Sequence, residues 1–296
     1  MSATSGAAGD LRGTLVPRAG ILGRLTDRRA RTLAQIGLGA VALAVVVVAA
    51  TLAAPSADAT NLLARRQPPS LAHPFGTDWL GRDVLARTLV GLRLSLGIAT
   101  LAASISAVVA LALGAAAGAL GRRVDAAVSW LIDLNLSLPH LVLMILIAFA
   151  AGRGARGLII AVALTHWPTL TRVLRGEARR VSASDYVAVS ERLGKSGWWV
   201  ARRHLVRHLV PQFSVGLVLL FPHAILHEAG LSFLGFGLSP DAPAIGNILS
   251  EAMRYLPAGD WWLALLPGVA LLGVVLAVDM VGGNLRTLLD PRSVHE

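Results

Sequence analysis

Two histidines, His223 and His227, stand four residues apart in an apolar stretch, with Glu228 directly after them. That spacing places both imidazoles on one face of a helix. Such a set can touch a soft divalent metal ion, line a polar path, or hydrogen-bond neighbouring helices, and the spacing leaves all three open. A zinc protease would need H-E-x-x-H, and Leu231 stands where the second histidine belongs. Gly194-Lys195-Ser196 ends like a phosphate-binding loop, but the glycine the motif requires five residues earlier is Val189. Without that cradle the chain is expected to bind no nucleotide and no cofactor of its own. Cysteine is absent, so thiolate metal sites and thiol nucleophiles are excluded. Serine, histidine and aspartate all occur, but no spacing marks a nucleophile, and the chain is not read as an enzyme. His166, Asp133 and Asp279 also lie in apolar segments. Ionisable groups in such segments point to a pathway or a partner. Asp133 and Asp279 can line a path or pair with Arg122, Arg123 or Arg286.

The elements that must position these groups are apolar. Of 296 residues, 55% are hydrophobic and 15% charged, and the mean hydropathy is +0.65. A soluble domain carries about 25% charged residues. The chain is therefore expected to be all-α and polytopic, with six transmembrane helices at 36–54, 92–120, 126–151, 158–171, 212–238 and 261–285. About 20 residues make one crossing, and the fourth of these spans is shorter. Ahead of the second span, residues 55–91 form an expected extracytoplasmic segment. Within it HPFGTDWLGRDVLARTLVG reads as an amphipathic interfacial helix capped by Thr77 or Asp78. The five-helix core is placed at 92–290. Gly114 and Gly118 form a GxxxG that permits close helix approach, though small-residue runs produce it easily.

The formal net charge is +10, which suits either nucleic acid or a membrane protein with basic inner loops. Position decides. With residues 1–35 taken as a cytoplasmic tail, the inside segments 1–35, 121–125, 172–211 and 286–296 hold 19 of the 27 Lys and Arg. The surplus is a topology signal, with both termini cytoplasmic and no nucleic-acid partner. Nine of the 19 lie in 172–211. There a helix through Tyr186, Val189 and Leu193 is broken by Gly194, and a second helix, Trp198 to Val210, is closed by Pro211. Helix, glycine turn, helix makes a compact knob for docking a partner, or a basic surface on anionic lipid.

Three stretches together resemble a known family. They are HPFGTDWLGRDVLARTLVGLRLSL (73–96), YVAVSERLGKSGWWVARRHLVRHLVPQ (186–212), and EAGLSFLGFGLSP (228–240) followed by WWLALLPG (261–268) and NLRTLLDPR (284–292). They are similar to the inner-membrane permease subunit of ABC importers for oligopeptides, dipeptides and nickel. The resemblance covers residues 36–292. It implies a type I ABC importer permease fold in the cytoplasmic membrane. It also implies a second homologous permease chain, two ATPase subunits that hold ATP and Mg, and an extracytoplasmic substrate-binding protein. Tyr186, Leu193, Gly194, Lys195 and Ser196 fall at matching positions. With Asp185, Glu191 and Gly197 they make the implied ATPase-coupling loop. The family's Tyr-Val-Glu-Ala-Ala is here Tyr-Val-Ala-Val-Ser, so the carboxylate is missing at Ala188, and Glu191 lies nearly one turn on. Arg207 replaces a common proline. Asp133, His166, His223, His227 and Glu228 are the candidates for the translocation path, with His223 and His227 as possible metal contacts. The alternative is a stand-alone secondary transporter or channel, which would call for inverted repeats.

Overall fold

Long apolar runs become long helices here, and prolines and glycines decide where they bend or stop. A computed structural model describes residues 28–289. Residues 1–27 of the expected tail, with Arg12, Arg18 and Arg24, and residues 290–296 lie outside the described residues. Five helices are long and apolar enough to cross a membrane. They are α1 (Arg28–Ala57), α2 (Val84–Ala119), α5 (Ala155–Ser182), α7 (Gly197–Phe233) and α9 (Trp262–Leu289). Between α2 and α5 lie α3 (Arg122–Ser137) and α4 (His140–Ala150), a pair bent by 97° that forms a broken span or a re-entrant loop and brings the crossings to five or six. The short α6 (Asp185–Arg192) and α8 (Ile245–Ala252) complete the set.

The expected third span at 126–151 is thus not one rod. Pro139 disfavours the helical conformation at the residue before it. Leu138 is accordingly extended, at φ −90° and ψ 142°, and the chain restarts as helix at His140. Pro168, by contrast, sits inside α5 without breaking it. A proline N cannot serve the carbonyl four residues back. That carbonyl, Leu164 O, instead accepts from Asn135 Nδ2 at 3.1 Å and Trp167 Nε1 at 2.9 Å.

Two expected loops are helical. The fourth span does not stop at 171, because α5 continues through Arg172, Arg175, Arg179 and Arg180 to Ser182. Arginine is a good helix former, and all four of these guanidiniums lie near carboxylates, Arg179 at 3.8 Å from Asp125. Arg175 binds Asp125, with Nη2 to Oδ2 at 2.9 Å, Arg172 reaches Asp133 at 3.1 Å, and Arg180 pairs with Glu177. Nor does Pro211 close a helix. α7 runs through it, after a π-turn at Ala201–Leu205 in which Val206 N donates to Ala201 O.

One expected helix is a loop. Residues 73–83 do not form the interfacial helix, and Thr77 and Asp78 cap nothing. Asp83 caps α2, accepting from Ala86 N at 2.8 Å. Gly76 and Gly81 take φ of +72° and +74°, outside helical backbone. Asp78 is instead a buried hub for Arg82 Nε at 2.7 Å and Arg87 Nη1 at 3.2 Å.

α2 and α5 form the spine. A Cβ added at Gly114 would stand 2.8 Å from Leu174 Cβ, and one at Gly118 2.6 Å from Ala178 Cβ. The GxxxG is therefore the contact itself. Ala99, Ala102, Ala103, Ala107 and Ala110 continue the same buried stripe. At one end of the bundle Arg66 pairs with Asp260 and Gly154 N donates to Gly237 O at 3.0 Å. At the other end Ser182 Oγ donates to Gly118 O at 2.8 Å.

Candidate functional site: a capped turn and a histidine groove

At the end of the bundle where α2 stops, α6 carries Asp185 and Tyr186 and closes at Gly194. Gly194 has φ +78°. Lys195 N donates back to Ser190 O at 3.1 Å, and Leu193 N donates to Val189 O at 3.0 Å. The six-to-one bond over a left-handed glycine is a Schellman stop. Two residues later Ser196 opens α7, its Oγ accepting from Trp199 N at 3.3 Å. Gly197 lies so close to α2 that a Cβ there would meet Ala119 O at 2.5 Å. The turn is thus fixed by four consecutive residues, each with a separate reason.

The knob is anchored by Val187 and Val200, both fully buried among Leu174, Ala178 and Leu205. Tyr186 packs on His204, with ring centroids 5.3 Å apart, and its hydroxyl lies 3.4 Å from His208 Nε2. His204 also meets Trp199 edge-on at 5.2 Å. Lys195 Nζ lies 5.4 Å over the Trp199 ring. Outward, Leu193 is 72% exposed, Trp198 70% and Val189 54%. Such an apolar face on a basic surface marks a contact for another molecule. His204 and His208 are contributors that the one-dimensional pattern did not show. Glu191 belongs to α6, but its side chain lies outside the described residues.

The intramembrane candidates divide. His166 and His227 come together, with ring centroids 4.9 Å apart and His166 Nε2 3.2 Å from His227 Nδ1. His140, the first residue after the break at Pro139, packs edge-on against both, at 4.9 and 4.8 Å. His223 lies one turn away on the same groove. The groove holds about 410 Å³ and is otherwise walled by side chains such as Leu136, Leu170, Val173 and Leu219. Glu228 is not on it. The carboxyl is fully buried between α2 and α7, where Ser232 Oγ donates to Oε1 at 3.0 Å and Ser95 lies alongside. Asp133 is a largely exposed partner of Arg172 and does not line the groove. The arginine that pairs with Asp133 is none of the expected Arg122, Arg123 and Arg286 but Arg172 of α5.

A helical bundle of membrane-crossing segments, with a histidine-lined groove and a capped turn at one end of the groove helix, defines a multi-pass membrane permease. The chain belongs to the family described as binding-protein-dependent transport system inner membrane component, whose pattern matches residues 110–295. It is 36% identical over 272 residues to a protein of Brucella suis biovar 1 named as a peptide transport system permease, covering 90% of this chain and 91% of that one. It is 33% identical over 251 residues to the Escherichia coli K12 protein named as the D,D-dipeptide transport system permease DdpC, covering 85% and 84%. A Brucella ovis peptide permease is 35% identical over 234 residues, covering 79% and 78%.

Proposed function

We propose that this chain is the transmembrane subunit of an ATP-driven importer of peptides, working with a second permease chain, two ATPase subunits and an extracytoplasmic binding protein. The observation that carries the reading is the exposed apolar turn, closed at Gly194 and joined through Gly197 to the helix that bears His223 and His227. Asp185, Tyr186, Leu193, Lys195 and Ser196, with Glu191 on the same helix, form the docking segment for an ATPase cleft. ATP and Mg are held there by the partner. The concentration of Lys and Arg in 172–211 supports a cytoplasmic location for this end and for both termini. The relatives named for peptides and a D,D-dipeptide support a small-peptide cargo. Cargo passes along a path to which His140, His166, His223 and His227 contribute, opened and closed as the two permease chains rock.

The test is coexpression with candidate partner ATPases, a second permease chain and a binding protein, then reconstitution into vesicles. Leu193→Asp and Trp198→Asp should abolish ATPase copurification and ATP-dependent uptake of a labelled dipeptide, while the permease stays in the membrane. Undiminished uptake with both substitutions would sink the docking role. Gradient-driven flux by this chain alone would favour a stand-alone transporter.

A further inference from the structure

Beyond peptide import, we infer that His140, His166 and His227 form a binding site for a borderline divalent transition metal ion such as Zn²⁺, Co²⁺ or Ni²⁺. One nitrogen from each ring lies within 4.8 Å of the others. In a tetrahedral site with metal–nitrogen bonds near 2.0–2.1 Å, ligand nitrogens stand about 3.3 Å apart. His166 Nε2 lies 3.2 Å from the His227 ring, so ring rotations that draw the three ligating nitrogens from 4.8 Å or less to tetrahedral spacing complete the set.

The tautomers favour it. His166 Nδ1 faces Val162 O at 3.0 Å, and His227 Nδ1 faces His223 O at 2.8 Å. A carbonyl oxygen only accepts, so both Nδ1 atoms carry the proton and both Nε2 atoms keep a lone pair. A ring N–H held by a backbone carbonyl is how metal-ligating imidazoles are commonly oriented. Three neutral imidazoles with the fourth direction open to the groove match three-histidine zinc sites that keep an exchangeable position. The ligands come from three segments, α4, α5 and α7, and a bound ion would fasten α4 to the core across the break at Pro139. The site does not rest on the peptide reading, because its ligands, not the cargo, define it.

The experiment uses the full chain in its complex, purified in detergent with a streptavidin-binding tag and stripped with chelator. Zn²⁺ binding is followed by calorimetry, and Co²⁺ by its visible absorption. One ion per chain with a tetrahedral Co²⁺ spectrum is expected. His140→Ala and His166→Ala should each weaken binding at least about tenfold, and His223→Ala should leave it unchanged. His140→Ala is the variant least exposed to misfolding, since His140 is only half-buried. Absence of saturable binding, or equal binding by the wild type and the His140→Ala variant, would overturn the proposal. Uptake of dipeptide with no metal binding would remove this site and leave the transport reading intact.

Discussion

Lys195 N–H donates to the Ser190 carbonyl at 3.1 Å across Gly194, which sits at φ +78°. A Cβ at Gly194 would meet nothing within 4 Å. Substitution therefore acts through the backbone and not through a clash. The left-handed conformation costs a residue with a Cβ about 1–2 kcal/mol, and asparagine less. Gly194→Val should reduce ATP-dependent uptake strongly, and Gly194→Asn mildly. Initial uptake rates at matched membrane levels check the order.

The α2–α5 contact gives a second expectation. Gly114→Ile and Gly118→Ile must push Leu174 and Ala178 aside. Overpacking of this kind costs about 1–3 kcal/mol. Gly97 lies on the same helix with nothing within 4 Å of its Cβ, so Gly97→Ala should be neutral or slightly stabilising. Thermal unfolding in detergent separates the three variants.

Two aspartates on α3 test how much burial matters to an ion pair. Asp125 and Arg175 side chains are 18% and 23% exposed, against 71% and 55% for Asp133 and Arg172. Charge-assisted hydrogen bonds in partly buried places contribute about 1.5–3 kcal/mol, and exposed pairs about 0–1 kcal/mol. A double-mutant cycle with alanine at both positions should give a clear coupling energy for Asp125/Arg175 and almost none for Asp133/Arg172.

Glu251 on α8 supplies a pH dependence outside the crossing helices. Burial raises its pKa above the ordinary 4.5, opposed by Arg82 and reinforced by Asp78. A carboxyl raised on folding holds its proton more tightly in the folded chain. Stability from this group is therefore full below pH 4.5 and falls as pH rises from there through the folded value. Glu251→Gln should melt like the wild type at acid pH and progressively higher than it as pH rises. A melting difference that stays flat with pH would contradict this.

Much of this was legible in one dimension. Apolar runs located α1 and α9, and Gly194 announced its turn. Gly114 and Gly118 were visible as a motif, but only the placement of Leu174 and Ala178 made them a contact. Pro139, Pro168 and Pro211 look alike in sequence and behave differently. The first breaks its span. The second is accommodated because Asn135 and Trp167 take up the freed carbonyl. The third lies within a continuous helix. That outcome depends on neighbours far along the chain. The histidine cluster illustrates the same limit: His227 was singled out by its spacing from His223, yet its partners are His140 and His166, 87 and 61 residues away. A histidine directly after an intramembrane proline was the one available sign of His140.

The continuity of α7 has a mechanical consequence. From Gly197 to His227 there is no loop, only 30 residues of helix rising about 1.5 Å each, or about 45 Å. A push on the exposed turn therefore has no slack segment in which to dissipate. It can be absorbed at the π-turn of Ala201–Leu205 or at Pro211 and Pro222, and what these joints do not take up arrives at the histidines as rotation or tilt of a rod. Stiffening those joints, by restoring regular helix at each, would change the stroke without touching either end.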